Sequence, residues 1–404
     1  MPDRVAIGAT VLLAPVAFGL AAIATYLLVL TAAAFVSRST PPPASTRKRM
    51  FAVVVPAHDE ARVIARVLDS LARQTYPRER YDVVVVADNC TDSTALIARE
   101  HGAIVHERHD EARAKGHALR WILQRLAAER KYDAYAVFDA DSFVAPDFLE
   151  RTNARLDAGS RVIQGHYRVL NAGASDLSAV REAALGSLHL VRPRGRAALG
   201  LSAGLKGNGM VFDAATLERH GWPSTGLAED VEMHLGFVAE GVRTDFAPEA
   251  VVRADMPTTF AEAASQNLRW EAGRLASLGG GAVALLSEGI RLRDPMRIDA
   301  AAEQLIPPMS VALAASAAVT VASLATGAAL PAALAGYACV AMGVHVLSGL
   351  VATGAPPRSY LTLAKALPYV AWKIGIYVRA MALPRATEWI RTTRPDTSWP
   401  DKNM

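Results

Sequence analysis

Three acidic clusters and one helical triplet in this chain have the residue types and spacing for chemistry. Asp139 and Asp141 flank a single alanine, and on a strand residues two apart point to the same side. Carboxylates paired in this way can hold Mg2+ or Mn2+, cations that take oxygen ligands and bridge to substrate phosphates. The same Asp-Ala-Asp-Ser run also reads as a turn. His58-Asp59-Glu60 and Asp88-Asn89 each close a short, β-branched apolar run. Glu229 and Asp230 are adjacent, so like charge and burial can raise a carboxyl toward neutral pH, where it serves as a general base. Gln266, Arg269 and Trp270 stand at i, i+3 and i+4, on one helix face. Arg269 offers a planar fork suited to diphosphate; taken alone, the triplet also reads as an amphipathic helix with Trp270 in a core.

The elements that must position these groups alternate. FAVVVPA, YDVVVVADN, AIVHERH and YDAYAVFDADS read as buried strands, the last ending in acids. Between them, helical spacing recurs at Val63, Ile64, Val67, Leu68 and Leu71, in STALIAREHG with Gly102 as its stop, and in KGHALRWILQRLAAE. Alternating strands and helices with short links predict a mostly parallel sheet with helices on both faces, whose ligands bind at the carboxyl ends of the strands. The three acidic clusters lie at those ends and are expected to converge on one crevice. Neither GxGxxG after the first strand nor GxxxxGK[ST] occurs, so phosphate binding by a glycine loop has no support.

The chain carries 43 Lys and Arg against 39 Asp and Glu, unevenly spread. Residues 5–37 and 304–357 contain none of these four types, runs of 33 and 54 residues. A span takes about 20 apolar helical residues, so the first run predicts one retained helix. The second, broken near Gly327 to Pro331, predicts two, at about residues 305–325 and 331–351. Arg38, Arg47, Lys48 and Arg49 follow the first span, against Arg4 before it. This predicts an outer N-terminus and a cytoplasmic body in a multi-pass inner-membrane protein. Residues 358–404 hold eight basic and three acidic residues; such a tail suits anionic headgroups or reflects positive-inside bias alone. Within it, residues 361–383 predict a helix lying in the interface rather than a fourth span. The expected organisation is therefore 1–49 anchor and Pro-rich linker, 50–290 catalytic body, 291–357 membrane hairpin and 358–404 basic tail. Cys90 and Cys339 alone exclude a disulfide framework and a cysteine zinc site. Residues 186–205, with Arg192, Arg194 and Arg196 among apolar residues, read as an interface helix, an acceptor loop or a solvated basic turn. Nucleic acid is excluded as a partner, since the basic excess sits in the tail and the crevice is acidic.

In order along residues 51–274 come VVVPAHDE, VADNCTDST, KGHAL, FDADS, GLAEDVEMH and QNLRW. Together these resemble the family 2 glycosyltransferases, the GT-A fold of membrane-bound polysaccharide synthases and lipid glucosyltransferases. Two positions depart: Ala87 replaces the first Asp of the family's V-D-D-G-S-x-D-x-T, and Ala228 replaces the Thr of T-E-D. The resemblance implies a UDP-sugar donor, with Asp88 accepting from the uracil imide and Asp59 and Glu60 lining the nucleoside pocket. It implies Mg2+ or Mn2+ on Asp141, with Asp139 on metal or ribose, and Lys115 near the diphosphate or donor sugar. Asp230 is then the base, beside Glu229, in an inverting in-line displacement. Arg269 serves the diphosphate, and Gln266, Trp270, Gly207 and Asn208 serve the acceptor.

The expected function is extension of a β-linked polysaccharide; the alternatives are transfer of one sugar to a lipid and, as a minor one, an inactive tethered binding protein. The first fits Q-x-x-R-W, although three apolar spans make a poor polymer channel and call for an oligomer or export partner. The second fits a basic interfacial tail. The third rests on Ala87 and Ala228 and is opposed by Asp141, Asp230 and Arg269. A two-carboxylate hydrolase has no use for the metal pair or a nucleotide pocket.

Overall fold

The computed structural model describes residues 2–37 and 40–382. Eight strands, β1 (Phe51–Ala57), β2 (Tyr81–Asp88), β3 (Ile104–Arg108), β4 (Ala134–Val137), β5 (Ser142–Val144), β6 (Val162–Val169), β7 (Met210–Asp213) and β8 (Thr244–Ala254), form one sheet. Their order is β3-β2-β1-β4-β7-β6-β8-β5. The β3-β2-β1-β4 half is parallel as expected. β7 and β5 run against their neighbours, which makes the sheet mixed. β1 is buried at every position, because it lies inside the sheet with both faces covered. Its residues divide by parity: Phe51, Val53 and Val55 pack with Ile64, Leu68 and Leu71 on one face. Ala52 and Val54 pack with Leu119, Ile122 and Leu126 on the other.

The fourth strand is shorter than its sequence suggests. β4 ends at Val137, where its register with Val54 ends, and Ser142 N–H donates to the Asp139 carbonyl at 3.1 Å. Asp139 and Asp141 therefore flank a turn between two strands rather than sharing one. The turn and the site are the same feature.

Among the described residues three helices are long and apolar enough to cross a membrane: 4–36, 309–326 and 329–353. They pack through Leu20, Leu27 and Met342 and through Ala24, Ala312, Ala338 and Ala341, the alanines being small enough to let backbones approach. The hairpin turns at Gly327, beside Ala6 of the first helix. The opposite ends of the three helices therefore meet the catalytic body. Helix Leu367–Ala382, expected to lie on the interface, buries Lys373, Ile376 and Ala380 and packs on helices Phe260–Ser277 and Met309–Thr326. Leu367, Val378 and Met381 on its other face are exposed. The basic residues of 383–404 lie outside the described residues.

Candidate active site

A cavity of about 450 Å3 opens at the carboxyl ends of the central strands and reaches the membrane helices at Met309 and Ser310. His58, Glu60, Lys115, Asp139, Asp141 and Gly207 line one end, with Glu229 and Asp230 beside them. Gln266, Arg269 and Trp270 line the cavity as well, from helix Phe260–Ser277. Convergence of the acidic clusters on one crevice, expected from alternation alone, thus holds for Glu60, Asp139 and Asp141.

Lys115, the first residue of helix Lys115–Glu129, ties this end together. Its Nζ donates to Asp139 Oδ1 and to the Gly207 carbonyl, each at 2.6 Å, and stands 3.3 Å from Glu229 Oε1. Burial acts to lower the ammonium's pKa, but Asp139 and Glu229 outweigh it and hold it above its ordinary value. Burial likewise pushes the Asp139 carboxyl up; Lys115 opposes this and Asp141 adds to it. Asp230 stands in the first turn of helix Glu229–Ala239. Burial, then the charge of Glu229, push its carboxyl up to about 7, against the pull of Lys115 and a hydrogen bond from Val231 N–H. Gly207 has a φ of +75°, so a side chain there would be strained, and its Cβ would lie in contact with Asp230 Oδ2 at 3.4 Å.

Helix Phe260–Ser277 carries the Gln-x-x-Arg-Trp triplet, its start capped by Thr259 on Glu262 N–H. It approaches the Glu229 helix through Gly273, where a Cβ would stand 3.1 Å from that of Ala228. The small residue at 228 therefore fits a close helix crossing that brings both motifs to one cavity.

Three expected site residues sit elsewhere. Asp88 is 1% exposed. It neither lines the cavity nor caps the next helix, whose Thr94 N–H is taken by Asp92. Its Oδ1 accepts from Arg108 Nη1 at 2.5 Å and its Oδ2 has no hydrogen-bond partner. Burial pushes this carboxyl up, with Arg108 opposing. Asp59, at φ +53°, turns toward the neighbouring loop and accepts from Thr91 N–H at 2.6 Å and Asp92 N–H at 3.2 Å. Asn208 is fully buried, accepting from Asp139 N–H at 3.2 Å and donating to Ser142 Oγ at 2.9 Å. It shapes the Asp139 turn from beneath rather than facing the cavity.

Other lining residues were not singled out from the sequence: Tyr167, Arg181, Lys206, Glu303, Tyr369 and Lys373. Arg181 Nη2 donates to Gln266 Oε1 at 2.7 Å, and its guanidinium lies 5.6 Å from the Trp270 ring. The basic stretch 186–205 is not a solvated turn. Arg196 is fully buried, with Nε 2.9 Å from Asp299 and Nη1 2.7 Å from Glu303. Its Nη2 donates to the Tyr26 hydroxyl of the first apolar helix at 2.6 Å. Arg192 Nε meets His345 of the third apolar helix at 3.2 Å. Both Arg192/Arg196 and Asp299/Glu303 are spaced i, i+4, and that reciprocal spacing was the available signal.

Residues 48–273 match the family described as glycosyltransferase-like family 2. The probable glycosyltransferase YdaM of Bacillus subtilis is 26% identical over 55% of this chain and 54% of its own length. Glucomannan 4-beta-mannosyltransferase 7 of Arabidopsis thaliana is 26% identical over 55% and 42%. The beta-monoglucosyldiacylglycerol synthase of Nostoc sp. is 30% identical over 45% and 39%. The chain thus spans about half or less of the curated relatives it matches. A mannosyltransferase from Pyrobaculum calidifontis, in complex with GDP-Man and Mn2+, superposes with a TM-score of 0.55 at 21% identity, covering 86% of this chain and 99% of that one. This likeness establishes the GT-A fold, and with the match over more than half of its residues the chain belongs to the family 2 glycosyltransferases.

Proposed function

We propose that the chain transfers a sugar from a UDP-linked donor to a hydroxyl of a membrane-associated acceptor, with inversion at the anomeric carbon and a β-linked product. The observation that carries this reading is Asp230. It is a carboxyl poised at about 7 in the same cavity as the Asp139/Asp141 turn and the Gln266–Trp270 helix face. In the proposed step Asp230 takes the acceptor hydroxyl's proton, with Glu229 beside it keeping its proton affinity high. The acceptor oxygen bonds to the anomeric carbon as the bond to the diphosphate breaks, and that electron pair leaves with UDP. Lys115 and Arg269 supply positive charge to the diphosphate, and Trp270 with Gln266 orients the acceptor. Glu60 and the Asp59 loop frame the nucleoside, while Asp88, buried against Arg108 and outside the cavity lining, supports the strand end beside them. Gly207 leaves room for the acceptor beside Asp230, and Asn208 supports the turn.

Asp139 and Asp141 fit a divalent cation: both are oxygen donors on one turn, and Asp139 already draws an ammonium to 2.6 Å. Mg2+ or Mn2+ held there supplies charge neutralisation to the diphosphate.

Of the acceptor classes, a lipid is favoured. Among the described residues the apolar helices contribute only Met309 and Ser310 to the cavity, which places the cavity beside the apolar helices, where a lipid hydroxyl can reach it. Polysaccharide extension, with an oligomer or export partner, is the second reading, supported by the intact Gln-x-x-Arg-Trp. We place the protein in the inner membrane with its catalytic body in the cytoplasm, from the basic residues that follow the first helix. The test is purified protein with Mg2+ or Mn2+, labelled UDP-sugars and membranes, with the product sized. One organic-soluble product supports the lipid reading and a ladder the polymer. Folded protein that releases no UDP from any donor overturns both and leaves the inactive binding protein.

A further inference from the structure

Arg181 is 3% exposed, lines the cavity and leaves its Nη1 without a hydrogen-bond partner. Its contacts are neutral: the Gln266 amide oxygen and the Trp270 ring. Burial works against its charge, and the nearest groups that favour it are the phenols of Tyr369 and Tyr167 rather than a carboxylate. Lys373 and Arg274 are at the same end of the cavity and share one anion, Glu271, at 2.8 and 3.6 Å. That carboxylate is thus already shared by two cations, while the Arg181 guanidinium contacts only neutral groups. A guanidinium removed from water without a counter-charge is costly, and its planar fork matches phosphate oxygens. This end also adjoins the bilayer elements. Tyr369 and Lys373 come from helix Leu367–Ala382, whose opposite face exposes Leu367, Val378 and Met381, and Met309 opens a membrane helix.

We propose that this end of the cavity binds a lipid acceptor whose headgroup carries a phosphodiester anion beside the receiving hydroxyl, anchored by Arg181. The inference rests on the lipid-acceptor reading. Trp270 holds the arriving sugar's neighbour, Arg181 the phosphate, and the acyl chains leave along the exposed apolar face of helix Leu367–Ala382.

The test uses the full chain in phosphatidylcholine nanodiscs doped either with phosphatidylglycerol or with diacylglycerol, each supplied with labelled UDP-sugar. Phosphatidylglycerol is labelled at least about tenfold faster than diacylglycerol, as a charge-assisted contact implies. Arg181→Met raises the KM for phosphatidylglycerol by a similar factor and erases the preference, and Arg181→Lys recovers part of it. Should Arg181→Met unfold, the wild-type comparison of the two lipids and the lysine variant still decide. Equal labelling of both lipids by the wild-type protein overturns the anionic-headgroup inference while leaving the lipid reading intact. A KM increase confined to the UDP-sugar reassigns Arg181 to the donor and also overturns it. Polymer without labelled lipid overturns the lipid reading itself.

Discussion

Replacing Asp230 by asparagine separates the two consequences of its burial. Asparagine keeps the size but cannot accept the proton, so turnover is expected to fall about 10²- to 10⁴-fold, the range of general-base contributions. Affinity for UDP should hold within about threefold, since the nucleoside contacts lie elsewhere. In the wild-type protein kcat/KM should rise about tenfold per pH unit on the acid side and level off above about 7, the value to which burial and Glu229 raise this carboxyl.

Stability moves the other way. An ordinary aspartate ionises near 3.8 and this one near 7, so between those values the folded state holds a proton that the unfolded chain has released. Wild-type stability therefore falls as pH rises through that interval, and the raised pKa contributes fully only below it. Asparagine carries no such proton, so the variant gains on wild type from about pH 4 to 7 and keeps the gain above 7. At about 1.4 kcal/mol per tenfold change in ionisation, the upper bound is roughly 4 kcal/mol. Asp230 retains partial exposure, so about 1–2 kcal/mol is expected. Thermal unfolding in detergent across roughly pH 5 to 8, beside initial rates at saturating donor, reads both effects. Asp230→Asn turnover within tenfold of wild type, or a wild-type profile flat through pH 7, would refute the base assignment. Lost turnover without any gain in stability would refute the argument from burial.

Chelation should abolish transfer and added Mn2+ or Mg2+ restore it, while Asp141→Asn should require about tenfold more metal for half-maximal rate, read by metal titration. Gly273→Ala places a methyl 3.1 Å from the Ala228 Cβ; it should cost about 1–3 kcal/mol in unfolding and lower kcat by shifting the Gln266–Trp270 helix away from Asp230. Glu303→Gln removes a carboxylate that burial acts to protonate but that Arg196, Lys206 and Arg192 hold well below its ordinary pKa. It should cost about 3–5 kcal/mol, read as a lower unfolding temperature.

The parallel half of the sheet was legible because buried strands are continuous apolar runs, and β1 coincides with FAVVVPA. The Asp139 turn was harder, since strand length is set by the register with β1 and not by local composition. Lys115 stands in the KGHAL segment that carries the family resemblance, and Asp230 beside Glu229, but the closeness of Lys115 to Asp139 and Glu229 depends on helix starts brought together across the sheet. Arg181 carried no local signal: a basic residue in an otherwise unremarkable helix looks solvent-exposed until the Gln266 helix covers it. Asn208 was legible as part of a glycine-bearing loop, whereas its inward orientation follows from the left-handed glycines on either side, at φ +75° and +68°.

The same burial that defines the cavity also explains why the apolar helices belong to the enzyme rather than merely holding it. Arg196 has no exposed surface, and its five donors can be answered only by groups that arrive from other elements. Asp299 and Glu303 come from the helix before the membrane hairpin, and Tyr26 comes from the first apolar helix, its hydroxyl accepting from Arg196 and donating to Asp299 at 2.7 Å. No side chain fits between Gly195 and the Leu30 carbonyl, so the first apolar helix is seated against this segment by backbone contact as well as by charge. Glu303 in turn stands 3.6 Å from Lys206, whose charge acts on Asp230. A continuous set of buried polar contacts thus runs from Tyr26 to the neighbourhood of the base. Removing the first helix would leave Arg196 and Asp299 without a shared partner in a water-poor interior, where an incompletely answered network costs more than none. The polar network around Arg196 is therefore complete only when the apolar helices are docked, and an activity assay on a fragment lacking the first helix would report on a different electrostatic environment around Asp230.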